Sequence, residues 1–409
     1  MLSLLATVLL IWLLLQTELV QNFIVGKVTK RLSKDLNTEV RIKHVSFTFF
    51  NRMNLEGTLV RDQRKDTLLY ANNIKVRVTD WFFLQDTLVL KFIGLEDAKI
   101  NLQRSDSVWN YQFLVDHFSP SSPKKTSKSK LVLDLKKLDF NKVEFVQNDL
   151  WAGKKLLIKL GSLQLDADNF SMVDKRLHIS SLDLDRPYIA MIGFKGLRPP
   201  VEKRPVVKSD TGYYFNASNF ELKIGKLNIK NGTFINEKLT EREPYPTFDG
   251  EHLRFDKITG ALRNISFIKD TIKAQVDLAA KERSGFDVRR LKTDFRLTPQ
   301  IMEFARLDLV TPKSHLRNYY AMNFKDFNKD FSDYVHKVPM SVKFTDAVID
   351  SDDLAFFAPA AKTWNKKISI WGTSKGPVDD LDMKGLFIRA GANTYVKGDL
   401  SMTGLPDIK

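Results

Sequence analysis

Apolar residues recur at every second position along most of the chain from about Val40 onward, which is the period of a β-strand. In each run they alternate with Lys, Arg, Asp or Asn, and the run ends at Asn, Asp or Gly, as strands joined by tight turns do. One face of such a strand is apolar and the other is polar. The pattern therefore predicts a mainly β protein whose antiparallel sheet has one dry and one wet side. The clearest runs are Ile74–Val78, Leu88–Phe92, Leu163–Ala167 and Leu222–Ile224.

A six-residue pattern recurs within these strands. It has apolar residues at its first and last positions, and its first copy is Leu95-x-Asp97-Ala98-x-Ile100. A near-constant interval between copies predicts stacked supersecondary units, although strand–turn–strand units that are not true repeats can also produce similar short patterns. In four copies, the third positions are 45, 44 and 45 residues apart, and a fifth, looser copy follows after a less regular interval. The third positions of the five copies are Asp97, Lys142, Arg186, Asn231 and Asp346.

The N-terminal segment is strongly apolar, and it carries no charge before Glu18. We expect a transmembrane anchor over 1–25 and an amphipathic helix over 26–37. A cleaved signal peptide is the alternative, but a basic start and a small-residue cleavage site are both lacking. Basic residues follow the segment, so the positive-inside rule alone would leave the bulk of the chain in the cytoplasm. The anchor residues are Leu4, Leu5, Leu9, Leu10, Ile11, Trp12, Leu13, Leu14 and Leu15.

The remaining 38–409 are expected to form one elongated β-region built from repeats. Residues 119–130 are rich in Ser, Pro and Lys, which predicts a disordered loop. Residues 198–210 and 236–249 are expected to be further loops, because Pro and charged residues dominate them. One more helical face is indicated by the spacing of Phe324, Phe327, Phe331 and Val335.

Composition narrows the possible partners. The chain has 64 Lys and Arg against 49 Asp and Glu, a net charge of +15, and no Cys. The absence of Cys excludes disulfides, Cys-based zinc sites and thiol nucleophiles. The positive charge favours anionic partners such as phospholipid headgroups, lipopolysaccharide or nucleic acid. Basic residues are spread along the whole chain, and no aromatic string of an RNA-binding module is present, so nucleic acid is the less favoured partner.

A search for catalytic motifs points away from an enzyme. The six His residues are scattered, and the sequence has no zinc-protease motif, phosphate-binding loop or nucleophile elbow. Asp350–Asp353 hints at a calcium loop, but Ala355 occupies the position where an EF-hand needs Gly. We therefore expect no catalytic residue, no metal and no cofactor.

Several segments, taken in order, resemble the N-terminal part of the AsmA-like family, and within it the TamB branch of the translocation and assembly module. No single segment is diagnostic, because each is a strand pattern, and the resemblance lies in their order. It extends over most of the 409 residues. The matching segments are Val40–Val45, Met53–Asp62, Leu68–Ala71, Ile74–Val78, Ser107–Tyr111 and Leu309–Ser314.

This resemblance implies a single-pass inner-membrane protein whose bulk lies in the periplasm. It implies a long, curved β-sheet with a hydrophobic groove that carries phospholipid between the inner and outer membranes. TamB-like proteins are also associated with the assembly and secretion of outer-membrane proteins beside a barrel partner. The C-terminal region that would meet this partner is not included, so we expect the sequence to be a fragment.

The groove prediction can be stated for individual residues. The side chains of Ile74, Val76, Val78, Leu88, Leu90 and Phe92 are expected to face phospholipid acyl chains, with Lys75 and Arg77 on the wet face. From the residues alone, a sealed β-sandwich is equally compatible with this pattern. A second possible function is a scaffold or chaperone that guides outer-membrane proteins by strand addition at an open sheet edge.

Overall fold

The protein is mainly β, and its 19 strands belong to one mixed sheet. The computed structural model describes residues 17–48, 52–78, 87–118, 130–171, 174–199, 212, 214–239, 242–391 and 394–405. The chain divides into two compact units. The first is Met1–Ser171, Leu182–Val201 and Glu237–Thr240, and the second is Met172–Ser181, Glu202–Asn236 and Glu241–Lys409.

The first unit holds two helices and most of the first ten strands. Its elements are α1 (Glu18–Asp35), β1 (Val40–Arg41), β2 (His44–Thr48), β3 (Arg52–Arg61), β4 (Thr67–Val78), β5 (Thr87–Arg104), α2 (Gln112–Phe118), β6 (Lys130–Asp149), β7 (Lys154–Ser171) and β9 (Tyr188–Gly193). Strands β8 (Arg176–Asp185) and β10 (Glu221–Lys238) have residues in both units. The neighbouring strands pair in the order β2, β3, β4, β5, β6, β7 and β9.

Helix α1 begins earlier than the sequence predicts, at Glu18 instead of residue 26. It ends at Asp35, and the backbone N–H of the capping residue Leu36 donates to the carbonyl of Leu32 at 2.9 Å. The predicted anchor residues from Leu4 to Leu15 lie outside the described residues, as do residues 119–129 of the predicted loop. Within the described ranges, no helix combines the length and the apolar character needed to cross a bilayer.

The prediction of a wholly antiparallel sheet is wrong for β5 and β6, which pair in parallel. Parallel neighbours need a crossover connection of a dozen residues or more, because the chain must return to the end where the first strand began. Residues 105–129 provide this connection, and α2 lies within it.

The sequence repeat corresponds to a backbone feature. Its third residue adopts a left-handed conformation in all five copies, with φ of 48° at Asp97, 49° at Lys142, 47° at Arg186, 53° at Asn231 and 52° at Asp346. A left-handed residue within a strand shifts the alternation of side chains by one position, so the apolar residues on either side of it lie on the same face. At Asp97 and Lys142 the neighbouring strands stay in register, whereas Asp346 lies at a register shift between Phe344 and Ala347. The repeat is thus a recurring left-handed residue within a strand.

The second unit continues as an antiparallel meander. Each strand from β11 to β19 pairs with the next. Its elements are β11 (His252–Ile268), β12 (Thr271–Glu282), β13 (Asp287–Leu297), β14 (Ile301–Val310), β15 (His315–Asn323), α3 (Phe327–Phe331), α4 (Tyr334–Lys337), β16 (Met340–Asp350), α5 (Ser351–Leu354), a 3-10 helix (Pro359–Thr363), β17 (Lys367–Gly376), β18 (Asp380–Ala390) and β19 (Thr394–Thr403).

The predicted helical face near Phe324 is divided between two short helices, α3 and α4. Asp326 caps α3, since its side chain accepts a hydrogen bond from the backbone N–H of Lys329. The rings of Phe327 and Phe331 stack at 4.3 Å between centroids, and both lie 5.5 Å from the ring of Phe324. Phe324 itself is buried and precedes the helix. The apolar cluster is therefore present, although no single helix carries it.

Candidate functional site

Rows of apolar side chains cross the sheet of the first unit, because the strand registers align the apolar positions of neighbouring strands. Residues directly opposite one another on paired strands lie on the same face. The first row is Met53, Val76, Ile93, Leu138 and Leu165. The second row is Leu55, Ile74, Leu95, Phe140 and Leu163.

The left-handed residues keep the apolar face continuous beyond these two rows. Ala71, Ala98 and Val143 form a buried cluster against which Ile74, Leu95 and Phe140 pack. Leu95 and Ala98 are three residues apart, and they share a face because left-handed Asp97 lies between them. A further apolar row lies beyond the cluster: Val60, Leu69, Ile100, Phe145, Ile158 and Ile189.

Most of these large side chains are only half-buried. In the first two rows, Leu165 is buried with 7% of its surface exposed, whereas the other residues keep intermediate exposure. All six residues of the further row are half-buried as well. A sealed core normally excludes solvent from Leu, Ile and Phe almost completely. The apolar rows therefore form an extended surface that is partly accessible. We call this surface the apolar face.

The registers place the predicted groove residues as follows. Ile74 and Val76 lie in the apolar rows. Leu90 pairs with Val78, two positions along β4 from Val76, so it belongs to the same face. The side chains of Val78 and Leu88 lie outside what the structure describes, and their backbones are paired with Leu90 and Leu131.

Phe92 is located on the other face, which differs from the alternation expected from the sequence. It pairs with Arg77, and the register shifts between this pair and the pairing of Val78 with Leu90. Lys91 is the extra residue of this bulge, and it moves Phe92 to the polar side. The ring of Phe92 covers Gly94, where an added Cβ would lie 3.3 Å from the ring. Ile93 takes the position that the sequence assigned to Phe92.

The face opposite the apolar rows is charged, and ion pairs connect its strands. Lys75 lies 3.4 Å from Glu96, and Glu144 lies 3.1 Å from Lys99 and 3.4 Å from Lys159. Burial opposes ionisation of Glu144, but the hydrogen bonds and charges of the two lysines lower its pKa overall. Such exposed pairs contribute little stability individually. Their charged groups make this face polar and hydrated, as expected for the side of the sheet that carries Lys75 and Arg77.

Sequence reasoning missed the part that β6 and β7 contribute to the apolar face. Phe140, Leu163 and Ile158 belong to it, but only the register with β5 reveals their place. The available signal was the repeat itself, because Phe140 is the first residue of its second copy.

Two segments that carry the family resemblance stabilise turns. In Ser107–Tyr111, the Trp109 ring lies 4.8 Å from the guanidinium of Arg104. In Leu309–Ser314, the hydroxyls of Thr311 and Ser314 both donate to Asp353, each at 2.5 Å. These contacts hold loops in place at strand ends, so they indicate a structural role for both segments.

Two of the histidines and the acidic cluster have structural partners. His178 contacts Glu221 at 2.9 Å, and His315 contacts Asp308 at 2.5 Å. Asp350 caps α5, and hydrogen bonds from Lys313 and Lys362 lower the pKa of Asp352 to about 2. Across the ranges that the structure describes, no three His, Asp or Glu side chains are grouped as metal ligands.

Comparison of the chain with protein-family models gives no match, and comparison with curated proteins gives none either.

Proposed function

We propose that the chain binds phospholipid acyl chains along the apolar face and carries phospholipid between the inner and outer membranes, in the manner of AsmA-like proteins. The observation that supports this proposal is the continuity of apolar rows across β3 to β7, with most of their large side chains half-buried. Contiguous apolar surface that a protein leaves uncovered commonly marks a binding site. The proposed mechanism is non-covalent, so it requires neither a catalytic residue nor a cofactor.

Acyl chains suit this surface energetically. Each buried CH₂ group contributes about 0.8 kcal/mol, so a chain lying across several apolar side chains gains a substantial free energy. The binding is non-directional, because no hydrogen bond fixes the position of a methylene group along the rows. A lipid can therefore move along the face without a large barrier at any one residue.

Site-specific photo-crosslinking tests this proposal. A photoreactive residue in place of Val76 or Ile93 probes the apolar face, and one in place of Lys99 provides the control on the polar face of the strand that carries Ile93. We expect phospholipid adducts at Val76 and Ile93 and far fewer at Lys99. Adducts with protein alone at Val76 and Ile93 would indicate a sealed core and would contradict the proposal.

The proposed location is the periplasm, with residues 1–25 as a single-pass anchor in the inner membrane. The chain contains no Cys, so one introduced cysteine is a unique label. Lys142 is a suitable position, because 72% of its side chain is exposed. We expect Lys142→Cys to react with a membrane-impermeant maleimide once the outer membrane is permeabilised. Labelling that requires lysis of the inner membrane would instead place this region in the cytoplasm.

A second candidate function is guidance of outer-membrane proteins by strand addition, with an outer-membrane barrel as the partner. The observation that favours it is β19, whose side chains are mostly exposed and which pairs with β18 along one side. Exposed strands can accept a further strand through backbone hydrogen bonds. A photoreactive residue in place of Tyr395, which is 70% exposed, would then capture an outer-membrane protein. Capture at Tyr395 without lipid at Val76 would favour this function.

A further inference from the structure

A basic pocket lies in the first unit, and its charged residues belong to the polar face of the sheet. Its volume is about 500 Å³, and its positively charged lining residues are Arg52, Lys75, Arg77 and Lys137. Met53 and Val76, which belong to the first apolar row, also line it. The pocket is within the size range of small-molecule sites in proteins. Phe92, which the bulge at Lys91 moves to the polar face, also lines it.

The strand registers bring three of these charges into a single row. Arg52 pairs with Arg77, Arg77 pairs with Phe92, and Phe92 pairs with Lys137. Arg52 and Arg77 are thus direct cross-strand neighbours. Like charges in this arrangement destabilise a sheet. The row has a stability cost that a chain selected for folding alone would avoid.

Nearby carboxylates compensate the pocket only in part. Lys75 lies 3.4 Å from Glu96, and Lys137 lies 3.7 Å from Asp166. Arg52 and Arg77 have no carboxylate within ion-pair distance among the residues that the structure describes. Within the described part of the chain, these two guanidinium groups therefore lack an acidic partner and can contact an anion that enters the pocket.

Two further lining residues, Asn54 and Ser46, add polar groups beside these charges. The side-chain nitrogen of Asn54 donates to Glu56 at 3.1 Å, whereas its side-chain oxygen is buried and has no hydrogen-bond partner in the described part of the protein. Ser46, directly opposite Asn54, adds a hydroxyl. A ligand that carries a hydroxyl or an ammonium group next to its anionic group would satisfy the Asn54 oxygen.

We propose that this pocket binds the phosphate group of a phosphorylated ligand, either the headgroup of a phospholipid or free phosphate. Guanidinium groups suit this ligand, because their planar N–H donors match two phosphate oxygens at once. Bound phosphate would also neutralise the repulsion between Arg52 and Arg77. The basic residues lie on the opposite face from the acyl-binding rows, and binding of free phosphate does not require the proposed lipid transport.

Calorimetric titration of the full chain in an uncharged detergent tests the proposal. Inorganic phosphate represents the free anion, and glycerophosphoethanolamine, a phosphodiester, represents the lipid headgroup. We expect saturable binding of at least one of the two, and the tighter ligand identifies the source. Absence of binding by both ligands would overturn the proposal.

Substitutions assign the binding to the pocket. We expect Arg52→Gln combined with Arg77→Gln to weaken binding by a factor of about ten or more, because each guanidinium supplies charge-assisted hydrogen bonds. Lys142→Gln removes the same kind of charge from the polar face outside the pocket, so it should leave binding unchanged. The double variant should unfold at the same temperature as the parent or higher, since a repulsive pair is removed. Unchanged phosphate binding in the folded double variant would show that the pocket is not the site.

Discussion

The carboxylate of Asp249 accepts two hydrogen bonds from the guanidinium of Arg242, one of 2.9 Å and one of 3.1 Å. This bidentate pair fixes the connection between β10 and β11. Backbone N–H groups of Tyr245 and Glu251 also donate to the same carboxylate, at 3.0 and 3.1 Å. Burial alone would raise the pKa of Asp249, but these hydrogen bonds outweigh it and lower the pKa from 3.8 to about 2.

This pair predicts a loss of stability in acid. The pKa of Asp249 is lower in the folded than in the unfolded chain, so its contribution is complete above about pH 4 and is lost as the pH falls towards 2. We expect a loss of roughly 2 kcal/mol in the free energy of unfolding across this interval. Denaturant titrations at several pH values measure it. The Asp249→Asn variant should show a smaller decrease over the same interval, and an equal decrease would contradict the assignment.

A second prediction concerns the carboxylate that holds the turn between β14 and β15. Asp353 accepts hydrogen bonds from the hydroxyls of Thr311 and Ser314, and both of these residues are buried. Asp353→Ala should destabilise the protein by about 1–3 kcal/mol, because buried hydroxyls lose their acceptor. Asp352→Ala is the matched control. Its partners, Lys313 and Lys362, are largely exposed, so its loss should change the free energy of unfolding by less than about 1 kcal/mol.

A third prediction concerns the left-handed residues that underlie the sequence repeat. Asp97 has a φ of 48°, a conformation that costs an ordinary residue about 1 kcal/mol or more and that glycine adopts freely. Asp97→Gly should therefore leave the protein equally stable or more stable. Asp97→Val should destabilise it by about 1–2 kcal/mol, because a β-branched side chain is strained at positive φ. Lys99→Val, two residues along the same strand, is the control, and an equal effect there would show that the left-handed conformation is not responsible.

The alternation of apolar and polar residues was sufficient to predict the mainly β fold, and it placed Ile74, Val76 and Leu90 on one face. It failed at Phe92, because a bulge is a single extra residue that only the register with the neighbouring strand defines. The parallel pairing of β5 with β6 was missed for a similar reason. The direction of β6 depends on the crossover through residues 105–129, and the pattern within β6 is the same in either direction. The basic pocket is formed by residues of β2 to β6, so its position depends on the four registers between these strands. The sequence of a single strand therefore does not predict it.

The last prediction distinguishes the partly accessible apolar face from the buried cluster beside it. Ile93 and Val143 lie on the same face of the sheet, but Ile93 is half-buried, whereas Val143 is only 5% exposed and packs against Ala98. A charge at Ile93 can reach solvent, so Ile93→Asp should yield a folded protein that has lost its bound lipid. A charge at Val143 has no such access, and Val143→Asp should destabilise the fold by several kcal/mol.

Thermal unfolding and mass spectrometry of co-purified lipid measure the two effects separately. Ile93→Asn and Val143→Ala serve as uncharged controls at the same positions. We expect Ile93→Asn to retain part of the lipid, because an amide repels acyl chains less strongly than a carboxylate does. If Ile93→Asp unfolds as readily as Val143→Asp, the apolar rows form a closed core and the proposed acyl-binding surface does not exist. If both Ile93 variants fold and retain all of their lipid, the lipid is bound elsewhere on the chain.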